Sequence, residues 1–272
     1  MIKTLRILVS LFLLSTMIYF GFITYQHSKK YEAMTSQIAK ACDAKNLASE
    51  RIDEFTAIIS LGLVKNESKG ILKKLHETQI EAKKLAELNL YYSMGTLVLI
   101  VLFTFTCTTR GGAMVLSFAT FVSLFYGLIN PILMVTIHKQ VDYLGDVILS
   151  FESKGIIGSI SKLYSSGELA VALTILVFSI LLPGIKSLTL TFMLIFYQNR
   201  WNHKLVAFFK QIGKWSMIDV FVVATFLVYF TSNTGGISQA EIQVGLYFFL
   251  AYVILSMITA IQTQKVLNEK LK

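Results

Sequence analysis

Long apolar runs separated by polar segments dominate the hydrophobic pattern of this chain. Most of the runs approach the roughly 20 residues that an α-helix needs to cross a hydrocarbon core about 30 Å thick. Sustained alternation of apolar and polar residues is absent, so helices are expected to do the spanning. We predict six transmembrane helices, at about residues 7–25, 91–107, 113–137, 169–197, 216–231 and 244–262.

A charged segment, residues 27–90, separates the first two apolar runs. Apolar or small side chains recur there every three or four residues, as on one helix face, at Ile71, Leu75, Thr78, Ala82 and Leu85. The polar stretch 65–70 interrupts the pattern and is the natural turn. We therefore expect an antiparallel helical hairpin that projects from the membrane. It packs on itself or on a second copy of the chain, or it binds a ligand or partner; no residue there decides between these.

Composition supports an integral membrane protein. Hydrophobic residues make up 54% of the 272 positions and charged residues 15%, and the mean hydropathy is +0.63; a soluble domain is more charged and less apolar. The formal net charge of +9 does not indicate nucleic-acid binding. No run of Lys and Arg is interleaved with surface aromatics, as a nucleic-acid groove would require, and most aromatics lie in the apolar runs.

The basic residues also predict the orientation. Cytoplasmic loops of membrane proteins carry an excess of Lys and Arg. Residues 199–214 hold four basic residues and no acid, and Lys3, Arg6, Arg110 and the C-terminal lysines fall on the same predicted side. We expect both termini in the cytoplasm, residues 27–90 outside it, and a further outer segment at 138–168.

Motifs for catalysis and metal binding are missing from the sequence. Cys42 and Cys107 lie far apart, and neither has the nearby second cysteine of a zinc knuckle. No phosphate-binding glycine loop, hydrolase elbow or metalloprotease motif occurs. We expect no enzyme activity, no cofactor and no metal site.

Two charged residues inside apolar runs are the strongest candidates for a functional site. An acid such as Asp219 costs roughly 2.5–3.5 kcal/mol at the centre of a bilayer, so it should be paired or functional. Lys186 in the preceding span can reach it by extending its long side chain. We expect an ion pair near the inner leaflet between spans four and five, with Ser187, Ser216 and Asn130 as polar neighbours.

Two predicted helix breaks accompany these residues. Pro131 follows Asn130 in the third span, and Pro183 precedes Gly184 in the fourth. Proline removes a backbone donor, and broken helices are typical where a cavity interrupts a bundle. The polar residues then line a cavity for an amphipathic cargo. The alternative is a purely structural pair, or a lysine that only reaches the membrane surface.

Several of these segments resemble the paraquat-inducible protein A family. The resemblance depends on residues 213–223, Gly-Lys-Trp-Ser-Met-Ile-Asp-Val-Phe-Val-Val. It is supported by Asn130-Pro131, by residues 182–186 and by the start of the last span at 245–249. The similarity extends over about residues 113–264.

The resemblance implies a four-helix membrane domain, residues 113–272, in the inner membrane of a Gram-negative bacterium. It also implies an intermembrane transport system that moves phospholipids or other lipophilic molecules with a periplasmic partner of the mammalian-cell-entry (MCE) type. Lys186, Ser216 and Asp219 match positions that the family holds polar within the membrane. Their implied role is to line the substrate path or to couple its two states.

The chain departs from the family pattern in its first 112 residues. Family members usually hold two such domains, each preceded by a four-cysteine zinc ribbon, whereas residues 1–112 here form a transmembrane hairpin with the insertion 27–90. A homodimer would restore the second domain. Because two spans around an outer hairpin also resemble bacterial receptor input modules, a membrane sensor or a scaffold is the alternative function.

Overall fold

The structure, a computed structural model, describes residues 2–41, 67–106, 110–141, 145–195 and 238–269. Five helices in these ranges are long and apolar enough to cross a membrane. The expected class, an all-α integral membrane protein, is therefore confirmed. The predicted span at 216–231 lies outside the described residues, so the count of six stays a prediction.

Two long helices form the N-terminal hairpin. Helix α1 (Ile2–Ala41) and helix α2 (Glu67–Thr106) have 40 residues each, or about 60 Å at 1.5 Å per residue. They run antiparallel, because Met17 packs on Leu97 near one end while Tyr31 packs on Ala82 near the other. Each helix therefore carries a predicted span and a charged extension without interruption.

Helix α3 (Arg110–Ile129) ends earlier than the sequence predicts. The prediction of a third span reaching residue 137, kinked at Pro131, is wrong, since strand β1 (Leu133–Val141) takes its last part. Proline disfavours helical geometry in the residue before it and has no N–H to donate. The Asn130 side chain also caps the helix, because its Nδ2 donates to the carbonyl of Tyr126 at 2.8 Å.

A three-stranded antiparallel sheet follows, in the order β2-β1-β3, with β2 at Gly145–Lys154 and β3 at Ser238–Ile242. Leu133 pairs with Lys154 on one side and with Ile242 on the other. The hydrophobic pattern does not predict this sheet, because a bulge at Ile137/His138 interrupts the period of two. The sequence features that could have indicated the sheet are the β-branched residues of β1 and the glycine at the start of β2.

The remaining helices cover the predicted fourth and sixth spans. After the short helix α4 (Ile156–Ser165), helix α5 (Leu169–Leu176) continues through a π-helical turn (Val177–Leu181) into α6 (Leu182–Ile195). Helix α7 (Val244–Glu269) ends the described chain. At the predicted break, Pro183-Gly184, the helix runs on without a gap, and the π turn interrupts its α-helical pattern just before. The wider winding of the π turn therefore lies where Pro183 has no N–H to donate.

Helix α3 lies between the hairpin and the other helices. It packs antiparallel on α7, with Gly127 so close that an added Cβ would lie 2.9 Å from the Phe249 backbone nitrogen. Leu116 and Ala119 of α3 join Met17 of α1 and Leu255 of α7 in one core cluster. We call the end of the bundle that bears the strands the sheet end, and the opposite end, where α3 begins, the Arg110 end.

A buried polar seam as the candidate functional site

Lys186 lies inside the helix bundle with only 8% of its surface exposed. It projects from the second turn of α6, and its Nζ donates to the Ser256 hydroxyl of α7 at 3.1 Å. Ser256 is fully buried and donates in turn to the carbonyl of Val253. A buried ammonium in a membrane span is expensive, which makes this lysine a functional candidate by default.

Hydroxyl side chains extend from Lys186 along the contact between α3, α6 and α7. Ser117 of α3 bonds Thr191 of α6 at 2.7 Å, and Thr120 of α3 bonds Thr259 of α7 at 2.9 Å. All but Thr191 are buried. Hydrogen bonds of this kind hold transmembrane helices together, because in lipid there is no hydrophobic driving force between helices. We call this set the polar seam, and its members are Ser117, Thr120, Lys186, Ser187, Thr191, Ser256 and Thr259.

One hydroxyl of the seam has spare hydrogen-bonding capacity. Ser187 is 2% exposed, and within the described ranges its Oγ has no hydrogen-bond partner. Burying an unsatisfied hydroxyl costs free energy, so such groups in a native structure point to a ligand, a water or a further protein group. Among the described residues, the seam therefore has an unsatisfied hydroxyl next to Lys186.

The expected pairing of Lys186 with Asp219 stays a prediction. Asp219 and Ser216 lie outside the described residues, so their positions relative to the seam are not part of the structure. Lys186 meets Ser256, which no motif of the sequence marks, and Ser187 follows Lys186 in α6. Ser256 and Thr259 could have been found in the sequence as polar residues at helical spacing inside an apolar run.

Asn130 does not join Lys186. It is fully buried at the sheet end, where the backbone oxygens of Asn130 and Pro131 lie against Gly245 at the start of α7. Gly245 precedes Ser256 by eleven residues (256 − 245), or about 16 Å along the helix. The Oδ1 atom of Asn130 has no partner among the described residues. Asn130 therefore belongs to the helix end and not to the polar seam.

The seam is closed by specific contacts near both ends of α6. The Tyr252 hydroxyl donates to the carbonyl of Pro183 at 3.2 Å. At the Arg110 end, Arg110 donates from Nε to the carbonyl of Leu194 at 2.9 Å and from Nη2 to that of Ile195 at 2.8 Å. A guanidinium is suited to this contact, because its N–H groups form a planar fork that can donate to two carbonyls at once.

A second polar cluster, which sequence reasoning misses, lies at the sheet end. Glu241 of β3 accepts a hydrogen bond from the Tyr31 hydroxyl of α1 at 2.6 Å and forms an ion pair with Lys83 of α2. Gln79 of α2 adds a bond to Thr35 of α1 at 2.9 Å. Residues from three separate parts of the chain meet here, so no local pattern could reveal it.

The polar seam provides groups that can bind a polar ligand. Within the described ranges, no three His, Cys, Asp or Glu side chains gather in a way that could hold a metal ion. The polar seam instead offers one cation, several hydroxyls and an apolar surround. Such an arrangement can hold a polar group of an amphipathic molecule inside the membrane.

Comparison with known proteins gives one match. The family model described as "Paraquat-inducible protein A" matches residues 111–267, more than half of the chain. No curated protein and no solved structure matches the chain. The matched range begins with α3 and ends within α7, so it contains the whole polar seam and leaves out the α1–α2 hairpin.

Proposed function

Because the chain belongs to the paraquat-inducible protein A family, we propose that it is the inner-membrane component of a system that transports lipids between membranes. The family membership and the five candidate spans support a multi-pass membrane component. The proposal that the cargo is a lipid goes beyond family membership. It depends on one observation, the burial of Lys186 among hydroxyls inside the spans. The cargo is a phospholipid or a similar lipophilic molecule.

In this proposal the polar seam receives the polar part of the cargo while its chains stay in lipid. Lys186 supplies the charge that attracts a phosphate or carboxylate, and Ser187 supplies an available hydroxyl. Charge-assisted hydrogen bonds are roughly twice as strong as neutral ones, and they gain further strength in a low dielectric. Asp219 is proposed to balance Lys186 when cargo is absent, so that the ammonium is never left uncompensated.

The partner and the topology are also proposals. The protein works with a periplasmic MCE-type protein, with both termini in the cytoplasm and residues 27–90 in the periplasm. The sheet end then faces the periplasm, and the Arg110 end faces the cytoplasm. No catalysis is assigned to this chain, and a homodimer would provide the second family domain.

Lipid mass spectrometry on the purified protein tests this function. We expect Lys186→Ala to retain several-fold less lipid than the wild type, because it removes the charge that attracts the cargo, and Asp219→Ala to retain more, because it removes the acid that competes with the cargo for Lys186. Lys265→Ala is the matched control, since Lys265 is an exposed lysine near the end of α7. Ser256→Ala, which removes only the hydroxyl that bonds Lys186, should give an intermediate loss.

Equal lipid content in the wild type and in all four variants would contradict the transport proposal. A sensor or scaffold would then be favoured, since neither requires cargo in the bundle. Size-exclusion profiles in detergent show whether each variant is folded. A variant that elutes as aggregate is replaced by Lys186→Met or Asp219→Asn, which keep most of the side-chain volume.

A further inference from the structure

A cavity of about 70 Å³ lies at the sheet end, where the α1–α2 hairpin meets the start of α7. Ser28 of α1, Glu87 and Tyr91 of α2, and Tyr247 of α7 contribute to its lining. Its volume exceeds what one water molecule requires. Residues of the family-matched range supply only one side, so the cavity exists because the hairpin packs against that range.

The inner wall of the cavity has a polar group that nothing in the described ranges satisfies. Ser28 is 1% exposed, and its Oγ has no hydrogen-bond partner there. Glu87 also lines the cavity, and it forms no ion pair within the described part of the chain. A hydroxyl oxygen and a carboxylate are both acceptors, so together they favour a donor with a positive charge.

Aromatic rings complete this environment. Tyr91 and Tyr247 line the cavity and are both exposed, at 73% and 49%. The faces of such rings attract organic ammonium groups, and carboxylates beside them add Coulomb attraction. A carboxylate, a hydroxyl and two rings around one cavity are therefore suited to an amine headgroup.

Lys83 gives the cavity a second charge of opposite sign. Lys83 lines the cavity, and its ammonium is paired with Glu241 and lies 6.0 Å from the centre of the Tyr31 ring. A free anion would be attracted by Lys83 but repelled by Glu87. A zwitterion gains from both charges at once, since its ammonium can face Glu87 while its phosphate faces Lys83.

The cavity lies at the level where the spans begin. Tyr91 starts the apolar part of α2, and Val244, the first residue of α7, also lines the cavity. Below it, α7 presents exposed apolar side chains at Tyr247, Leu250 and Ile254, one above the other at helical spacing. A ligand with a headgroup in the cavity could therefore lay an acyl chain along α7.

We propose that this cavity binds the headgroup of a zwitterionic phospholipid, with the ammonium against Glu87 and Ser28 and the chains along α7. The inference rests on the proposed lipid function and adds a second lipid site, at the sheet end and distinct from the polar seam. It also assigns a role to the α1–α2 hairpin, which completes the cavity.

Native mass spectrometry of the full chain with added lipids tests the proposal. The probes are phosphatidylethanolamine, phosphatidylglycerol of the same chains, and soluble phosphoethanolamine. We expect the wild type to bind phosphatidylethanolamine about tenfold more tightly than phosphatidylglycerol, the equivalent of one charged contact. Glu87→Gln should abolish most of this preference, and Ser28→Ala should reduce it.

Glu81→Gln is the matched control, because Glu81 is an exposed acid on the same helix that does not line the cavity. It should leave the preference unchanged. Equal binding of the two lipids by the wild type, or an unchanged preference in Glu87→Gln, would overturn the proposal. Phosphoethanolamine that binds as tightly as the lipid would also overturn it, since the site would then belong to a soluble amine.

The outcome is separable from that of the proposed function. If lipid retention depends on Lys186 but phosphatidylethanolamine shows no dependence on Glu87, only the cavity proposal fails. If the headgroup preference depends on Glu87 while Lys186 has no effect on lipid content, transport through the polar seam fails and the cavity remains a lipid site.

Discussion

Gly245 shows how one residue fixes the start of the last helix. Its backbone N–H donates to the carbonyl of Pro131 at 2.9 Å. A Cβ at this position would lie 2.6 Å from that carbonyl oxygen and 2.7 Å from that of Asn130. Both neighbours are backbone atoms of the turn between α3 and β1, which has little freedom to yield. The residue is therefore glycine because two chain segments touch there.

We predict that Gly245→Ala destabilises the protein by about 1–3 kcal/mol, the usual cost of forcing extra volume into a packed site. Gly184→Ala is the control. Gly184 lies within α6, nothing would lie within 4 Å of its Cβ, and alanine is the better helix former. Thermal unfolding in detergent compares the two. A Gly245→Ala protein as stable as Gly184→Ala would contradict the close approach of the two segments.

At the scale of elements, one side chain of α3 holds α6 at the Arg110 end. The carbonyls of Leu194 and Ile195 accept hydrogen bonds from Arg110. Ala113 of α3, Leu194 of α6 and Val266 of α7 form a buried cluster beside this contact. Three helices therefore meet at the Arg110 end around the Arg110 side chain. This contact keeps the α6 part of the polar seam against α3 and α7.

We expect Arg110→Met to loosen α6 around Leu194, because it keeps the aliphatic stem but removes both donors. The expected loss is about 1 kcal/mol, since one of the two bonds is exposed. Hydrogen exchange in a peptide covering residues 186–195 should accelerate. Arg6→Met, which removes an exposed arginine of α1, should not change it. Unchanged exchange in Arg110→Met would show that this part of α6 is stable without the two hydrogen bonds.

At the scale of the whole molecule, the hairpin is joined to the family-matched range at two levels. Tyr126 of α3 donates to the carbonyl of Ile18 at 2.9 Å, and its ring occupies the space that a side chain at Gly21 would need. Nearer the sheet end, Glu241 bonds Tyr31 and Lys83. The hairpin therefore packs along the bundle and does not stand apart from it as a separate module.

A charge exchange tests the contact at the sheet end. Lys83→Glu and Glu241→Lys should each increase hydrogen exchange in α1 around Tyr31, and the double variant should restore much of the protection. The coupling should not exceed about 1 kcal/mol, because Lys83 and Glu241 keep 42% and 37% of their side chains exposed. Fully additive effects in the double variant would mean that the two residues do not interact.

Local patterns in the sequence determined the helices and the position of the buried charge. Run length and hydropathy place the helices in the membrane class, and Pro131 marks a boundary, although it ends the helix and does not kink it. Lys186 can be singled out from sequence because a lysine is rare inside an apolar run. These features are readable because each depends on residues that are near one another in the chain.

Tertiary structure decided which polar residues meet. Strand β1 pairs with β3 about a hundred positions later, and Lys186 meets Ser256, seventy positions later. Gly21, Gly127 and Gly245 set how closely the helices approach and thus which faces touch. The sequence by itself therefore determined that the chain enters the membrane as helices and that a charge is buried there. Only the packing decided its neighbours, because helix rotation and strand register depend on contacts between distant segments.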